Sequence, residues 1–484
     1  MTLAIVAGIL ILIAIGVIAA PRVFAGTGAR KTGFREYVKN PRLRARVARG
    51  FVNREAEIAS LAQRPTEELV ALLLDDDGYE SAKRALCTMN HSVVPSLLAA
   101  AKDNRFRSAD AIKQRSIKSK STMARSEPLE TVLECLQHHA GDCAVEPVAA
   151  FVRDPNHEIR KNTALLLGSI GTDAAVEPLR QSLEDDDDYV RSYAMMGVLR
   201  AIDANRCSRG FRTRVFDAIH PLVWREDMTV SGNAPRCLLG LNRDRAISIL
   251  TAADSLHVGK TGLQDVLVSL RKAGIAVDPG RLLSLESDIE KAGLQYPNDY
   301  VLGETLRLLA RVESDAARAA IERGTRSSSG RVRENATTAL AERVGVTDPF
   351  ATAFQRWDDV GWDRLTEPQK HVLAVRVLID QVNNGGFAQY FVNSSGEHWP
   401  DALAGLEAIG ATNEVGLVQR AVGLFGPDKP SVDGQQRHQQ LARVIKRNDK
   451  VLDPIDQDFY KEADDREVLL LRYIIAHAAD FRAE

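Results

Sequence analysis

Metal-capable side chains crowd one short stretch, Cys135-Leu-Gln-His138-His139-Ala-Gly-Asp-Cys143. On a helix, Cys135, His138 and His139 share one face. Common zinc patterns place two ligand pairs on either side of a longer loop, which this stretch lacks, so no metal site is assigned to it. Gly259-Lys260-Thr261 has the ending of a phosphate-binding loop. The glycine required five positions earlier is Asp254, and no strand precedes a region that reads helical. The run Glu184-Asp-Asp-Asp-Asp188 offers hard oxygen donors to a cation, but its place ahead of a helix suits a solvated cap. Neither Gly-x-Ser-x-Gly nor His-Glu-x-x-His occurs. No catalytic residue, metal or cofactor is therefore expected. One polar set remains: Gln381, Asn383, Asn384, Gly385, Gly386, Phe387, Tyr390, Phe391 and Asn393. Its carboxamides either satisfy backbone groups at a tight turn, with the aromatics as core, or line a recognition groove.

Helices must position that set. Thr366-Glu-Pro-Gln369 reads as a capping box. Behind it Val372, Leu373, Val375, Val377, Leu378 and Ile379 make a helix apolar on nearly every side, the buried centre of a domain. Asn383-Asn384-Gly385-Gly386 is expected to stop it, because Asn and Gly accept left-handed backbone angles. Phe387, Tyr390 and Phe391 then recur at helical spacing, and Asn393-Ser-Ser-Gly396 breaks the chain again. Further helices are expected over about 400–409, 413–424 and 467–478.

The stretch from Gln381 to Ser394, with Ala404 to Gly410 and Phe459-Tyr460 before the last helix, resembles the DNA-mimic protein 19 family over residues 355–482. The resemblance implies a small helical domain. For the family's namesake it also implies surface carboxylates that imitate DNA phosphates and occupy a DNA-binding regulator. That function needs ordered acids on one face. Residues 351–484 hold 21 Asp or Glu against 15 Lys or Arg, a net of −6. Asp453, Asp456, Asp458, Glu462, Asp464 and Asp465 crowd one segment, whereas Arg443, Lys446, Arg447 and Lys450 form a basic cluster.

Upstream, a repeat is visible. Pro147, Asp154 and Arg160 recur as Pro178, Asp185 and Arg191, each pair offset by 31 residues, and each second half ends in Gly168 or Gly197. A fixed period in this range marks a solenoid, whose units bury too little alone and must stack. The pattern resembles HEAT repeats of the short, lyase-associated type. In that type the turn Asp and the Arg six residues on pair between neighbouring units, which makes Asp154, Arg160, Asp185 and Arg191 the candidate ladder. The match is clearest over 142–202 and extends with divergent units over 61–348. Residues 113–125, basic and Ser-rich, read as a loop.

The chain has 484 residues, of which 45% are hydrophobic, 26% charged and only 6% aromatic, a bias toward helices. A net charge of −2 gives no global case for nucleic-acid binding, and five scattered cysteines do not form a disulfide framework. Residues 3–20 carry no charged or polar side chain and are long enough for a transmembrane helix. The basic segment that follows, 22–60, predicts an N-terminus facing out and a cytoplasmic bulk. The expected architecture is thus all-α: a transmembrane anchor over 1–21, a HEAT-like α-solenoid and a small helical C-terminal domain. The expected function is a membrane-anchored protein–protein interaction scaffold without catalytic activity, its partner a protein and not nucleic acid. Two alternatives stand beside it: a regulator that sequesters a DNA-binding protein through the C-terminal domain, and a small-molecule binder at the Asn-Asn-Gly-Gly turn.

Overall fold

The structure is a computed structural model that describes residues 58–75, 78–107, 127–139, 141–225, 232–448, 450–461 and 463–482. Every regular element among them is a helix. One expectation is corrected. Among the described residues no helix is long and apolar enough to cross a membrane. The longest, Glu367–Val392, carries charged side chains and is kinked. The transmembrane anchor, the membrane contact through 3–20 and the single-pass placement with its orientation are therefore withdrawn. The run 3–20, the basic segment up to residue 57 and the loop 113–125 lie outside the described residues.

The chain divides into two compact units at Ala292/Gly293. The clearest part of the first unit contains α1 (Pro128–His139), α2 (Val145–Ala149), α3 (His157–Ile170), α4 (Val176–Leu183) and α5 (Asp188–Asp203). Pro147 and Pro178 sit in the first turns of α2 and α4, where no intrahelical amide donor is needed. Asn156 caps α3 by accepting from the Glu158 amide, and Asp187 caps α5 by accepting from those of Tyr189 and Val190. Ile159, Leu166, Val190, Ala194 and Val198 are buried along the two long helices. Gly168 and Gly197 let those helices touch backbone to backbone: a Cβ on Gly168 would lie 2.5 Å from the Ala194 carbonyl oxygen. The glycine that closes each apolar face in the sequence is thus a packing requirement.

The second unit is built around α8 (Glu367–Val392). It also contains α6 (Asn298–Leu309), α7 (Gly330–Arg343), α9 (Trp399–Ile409), α10 (Gly434–Arg447), α11 (Asp453–Lys461) and α12 (Ala463–Ala476). α9, α10 and α11 pack on α8, and α7 packs on both α6 and α12. The capping box forms: the Thr366 hydroxyl accepts from the Gln369 amide at 3.4 Å, and Gln369 Oε1 accepts from the Thr366 amide at 3.1 Å. Val372, Leu373, Val375 and Leu378 are wholly buried. The helix does not stop at Asn383. Asn383 and Asn384 stay helical, and the break is confined to Gly385 (φ −165°) and Gly386 (φ 75°). The result is a kink inside one long element.

Candidate functional site

At the kink, α11 supplies hydrogen-bond partners to two backbone groups of α8. The Phe387 amide donates to Asp456 Oδ1 at 2.8 Å, so a carboxylate caps the second half of α8. The Tyr460 hydroxyl donates to the Val382 carbonyl at 3.0 Å, at the end of the first half. Burial pushes the Tyr460 phenol up to about 12, with Asp456 and Asp453 acting in the same sense. A Cβ on Gly386 would overlap the Asp456 carboxylate, and the positive φ disfavours any other residue there. Gln381 Oε1 accepts from Gln389 Nε2 at 3.0 Å and from Asn393 Nδ2 at 2.6 Å, which ties the two halves of α8 across the kink. Asn383, Asn384 and Gly385 are exposed, while Phe387, Tyr390 and Phe391 are core. Burial raises the Tyr390 phenol, whose oxygen has no hydrogen-bond partner among the described residues.

α10 terminates α8. Arg437, wholly buried, donates to the carbonyls of Phe391 (2.9 Å), Asn393 (3.0 Å), Ser431 (2.8 Å) and Val432 (3.0 Å). His438 Nε2 meets the Val392 carbonyl. The last carbonyls of α8, which lack partners within the helix, are thereby satisfied. Desolvation lowers the pKa of Arg437, and the Glu397 carboxylate 3.9 Å away opposes that shift.

In the first unit the candidate ladder is arranged between repeats. Arg160 binds Asp185 with two nitrogens, Nε to Oδ2 at 2.9 Å and Nη2 to Oδ1 at 3.3 Å, and donates Nη1 to the Asp154 backbone carbonyl at 2.9 Å. The Asp154 carboxylate takes Arg107. Arg191 reaches the Asp185 carbonyl and the Asp188 carboxylate. Each arginine therefore braces its own turn through the backbone, and Arg160 also reaches forward to the next unit. The metal-capable stretch is engaged in helix packing: His139 Nε2 meets the Leu86 carbonyl at 2.8 Å, His91 Nδ1 meets the His139 carbonyl at 2.7 Å, and Cys135 is buried. Among the described residues no group of three His, Cys, Asp or Glu is placed to hold a metal ion.

Residues 363–477 match the DMP19-like protein family. Residues 126–200 match HEAT repeats. No curated protein matches the chain.

Within the DMP19-like segment, carboxylates alternate with cations. Asp458 lies 3.2 Å from Arg420 and 3.3 Å from Lys461, and the Arg420 and Lys461 side chains hold its carboxyl below the usual range. Asp465 pairs with Arg333 at 2.8 Å, Glu467 with Arg376 at 3.0 Å, and Asp456 is buried as a cap. Two clefts described in the protein lie in the first unit. The larger, about 690 Å³, is lined by His91, Pro95, His139, Cys143, Thr172 and Arg206 among others.

Sequence reasoning passes over Arg437 and the roles of Tyr460 and Asp456. Asp456 is one of six acids in its neighbourhood and nothing local singles it out. Arg437 sits in a Gln-rich stretch that looks solvent-exposed, and only its spacing from Leu441 and Val444, four and seven residues on, marks it as inward-facing.

Proposed function

We propose that this chain is a protein-binding scaffold that acts by recognition and not by catalysis, with the HEAT-repeat unit carrying the main contact. The supporting observation is the outer face of α5. Tyr189 is 57% exposed and Met196 36%, with Tyr193 between them at helical spacing. Lys161 of α3 lies over both tyrosine rings, 4.7 Å from the Tyr193 centroid and 5.8 Å from that of Tyr189. Tyr and Met are enriched at protein interfaces, where an amphipathic or adaptable side chain gains most from burial. Affinity capture with the full chain tests this. Tyr189→Ser with Met196→Ser should abolish recovery of the main partner, and Asn383→Ala with Asn384→Ala should leave it intact; the reverse pattern moves recognition to the C-terminal unit.

A second reading comes from the DMP19-like match: capture of a DNA-binding protein through that segment. Its family resemblance favours it, and the cations set among its acids weaken it, because a phosphate-like array needs one sign of charge. Under this reading, duplex DNA added during capture displaces the partner.

A further inference from the structure

We infer that α10 and the turn after it form a binding surface for a phosphodiester backbone, a contact beyond the protein-binding scaffold. Between residues 434 and 452 the sequence has five Lys or Arg and one acid, Asp449. Arg437 points inward and is consumed in ending α8. The other four, Arg443, Lys446, Arg447 and Lys450, are all exposed. Among the described residues none of them meets a carboxylate, unlike Arg376, Arg420, Lys461 and Arg333 of the same unit, each of which does. Four cations that meet no described carboxylate therefore stand together, with Asp449 the one acid among them, in a domain with a net charge of −6.

Their arrangement is linear. At 100° per residue, Gln436, Gln439, Arg443, Lys446 and Arg447 fall on one stripe, and Arg437, Leu441, Val444 and Ile445 fall on the opposite, buried face. The stripe runs about 17 Å along the helix. The helix dipole accounts for cations in the last turn, Lys446 and Arg447. It does not account for Arg443, a turn earlier, or for Lys450, beyond the end.

The composition of the stripe selects the occupant. Hot spots of protein interfaces are enriched in Trp and Tyr as well as Arg, and this stripe has no aromatic ring of that kind. Here every outward residue from Gln435 to Lys450 in the described stripe is a carboxamide or a cation. Lys and Arg with flanking Gln and Asn are groups that contact phosphate oxygens. Duplex and single-stranded nucleic acid share that chemistry.

The test is fluorescence anisotropy on the full chain at low salt, with three labelled probes: a duplex DNA, a single-stranded RNA and a poly-glutamate peptide. The wild type should bind at least one nucleic acid, with log affinity falling against log salt at a slope of about −2 to −4, near 0.9 per phosphate contacted on a duplex. The variant R443Q/K446Q/R447Q/K450Q should lose roughly 10-fold or more and flatten that slope. R420Q, which removes a cation already paired with Asp458, should change little. All these sites are exposed, and circular dichroism verifies that the fold is retained. Relative affinity for duplex and single strand identifies the source of the phosphates. Absence of nucleic-acid binding, equal binding by the quadruple variant, or tighter binding of poly-glutamate than of either nucleic acid overturns the inference.

Discussion

Arg437 Nε donates to the Phe391 carbonyl oxygen at 2.9 Å from a position with no exposed surface. A long helix ends on a buried guanidinium, which spreads its donors over the carbonyls of Phe391, Asn393, Ser431 and Val432. Removing it strands those acceptors in a low-dielectric interior, a loss of about 3–5 kcal/mol. Arg437→Met should therefore lower the unfolding midpoint of the C-terminal unit sharply. Arg437→Lys should not restore it, because an ammonium cannot reproduce the planar fork. Tryptophan fluorescence reads this unit, since Trp357, Trp362 and Trp399 lie within it and only Trp224 lies outside.

Gly386 and Asp456 should behave as one device. The glycine supplies φ 75° and the space that the carboxylate occupies, and the carboxylate caps Phe387. Gly386→Ala should cost about 1–3 kcal/mol through backbone strain together with displacement of Asp456. Asp456→Ala should cost about 0.5–2 kcal/mol as a lost cap. The two sites are in contact, so the double variant should cost less than the sum of the singles, and urea unfolding of all four proteins measures the difference.

Legibility in the sequence depends on whether a requirement is local. The capping box at Thr366 and Gln369, the turn prolines Pro147 and Pro178, and the glycines Gly168 and Gly197 are each set by their own stretch of chain or by a repeat, and they are readable. The kink reads as a stop. Nothing in Asn383-Asn384-Gly385-Gly386 announces that Asp456, some 70 residues on, will cap the second half of α8. Arg437 escapes notice for the same reason, since its partners on α8 lie more than 40 residues away. Arg160 reaches Asp185 of the next unit, and Asp154 is taken by Arg107, which no 31-residue offset connects to it.

The Arg160–Asp185 pair should carry a measurable coupling between repeats. Both side chains are mostly buried and the contact uses two nitrogens, so it exceeds an exposed ion pair. A cycle of Arg160→Ala, Asp185→Ala and the double variant should give an interaction energy of about 1–2 kcal/mol. The Arg180–Glu184 pair is exposed on both sides and should give a fraction of that in the same assay.

Mild acid should loosen the C-terminal unit through histidine. His398 stacks on Trp362 with ring centroids 3.7 Å apart, and its Nδ1 lies 3.8 Å from Asp401. Burial lowers its pKa below the usual 6.5; Asp401 and Asp363 oppose the shift, while Arg437 and Lys370 add to it. His371, beside the Tyr473 hydroxyl at 3.0 Å, is lowered by burial as well. A histidine depressed in the folded state takes its proton first in the unfolded chain, so stability is complete above about pH 6.5 and falls as pH drops from there toward the folded values. Glu467 works in the opposite sense, because burial raises its carboxyl above the usual 4.5 and the folded state then gains the proton first. Asp458, lowered from 3.8, acts only in stronger acid. In the window from about pH 7 to about 5.5 the lowered histidines set the decline and the raised Glu467 opposes it. The unfolding free energy should decline across it by at most about 1.4 kcal/mol per pH unit for each proton taken up. His398→Gln should flatten that decline and remove any pH-dependent change in Trp362 fluorescence; a decline unchanged in this variant excludes His398 as its source.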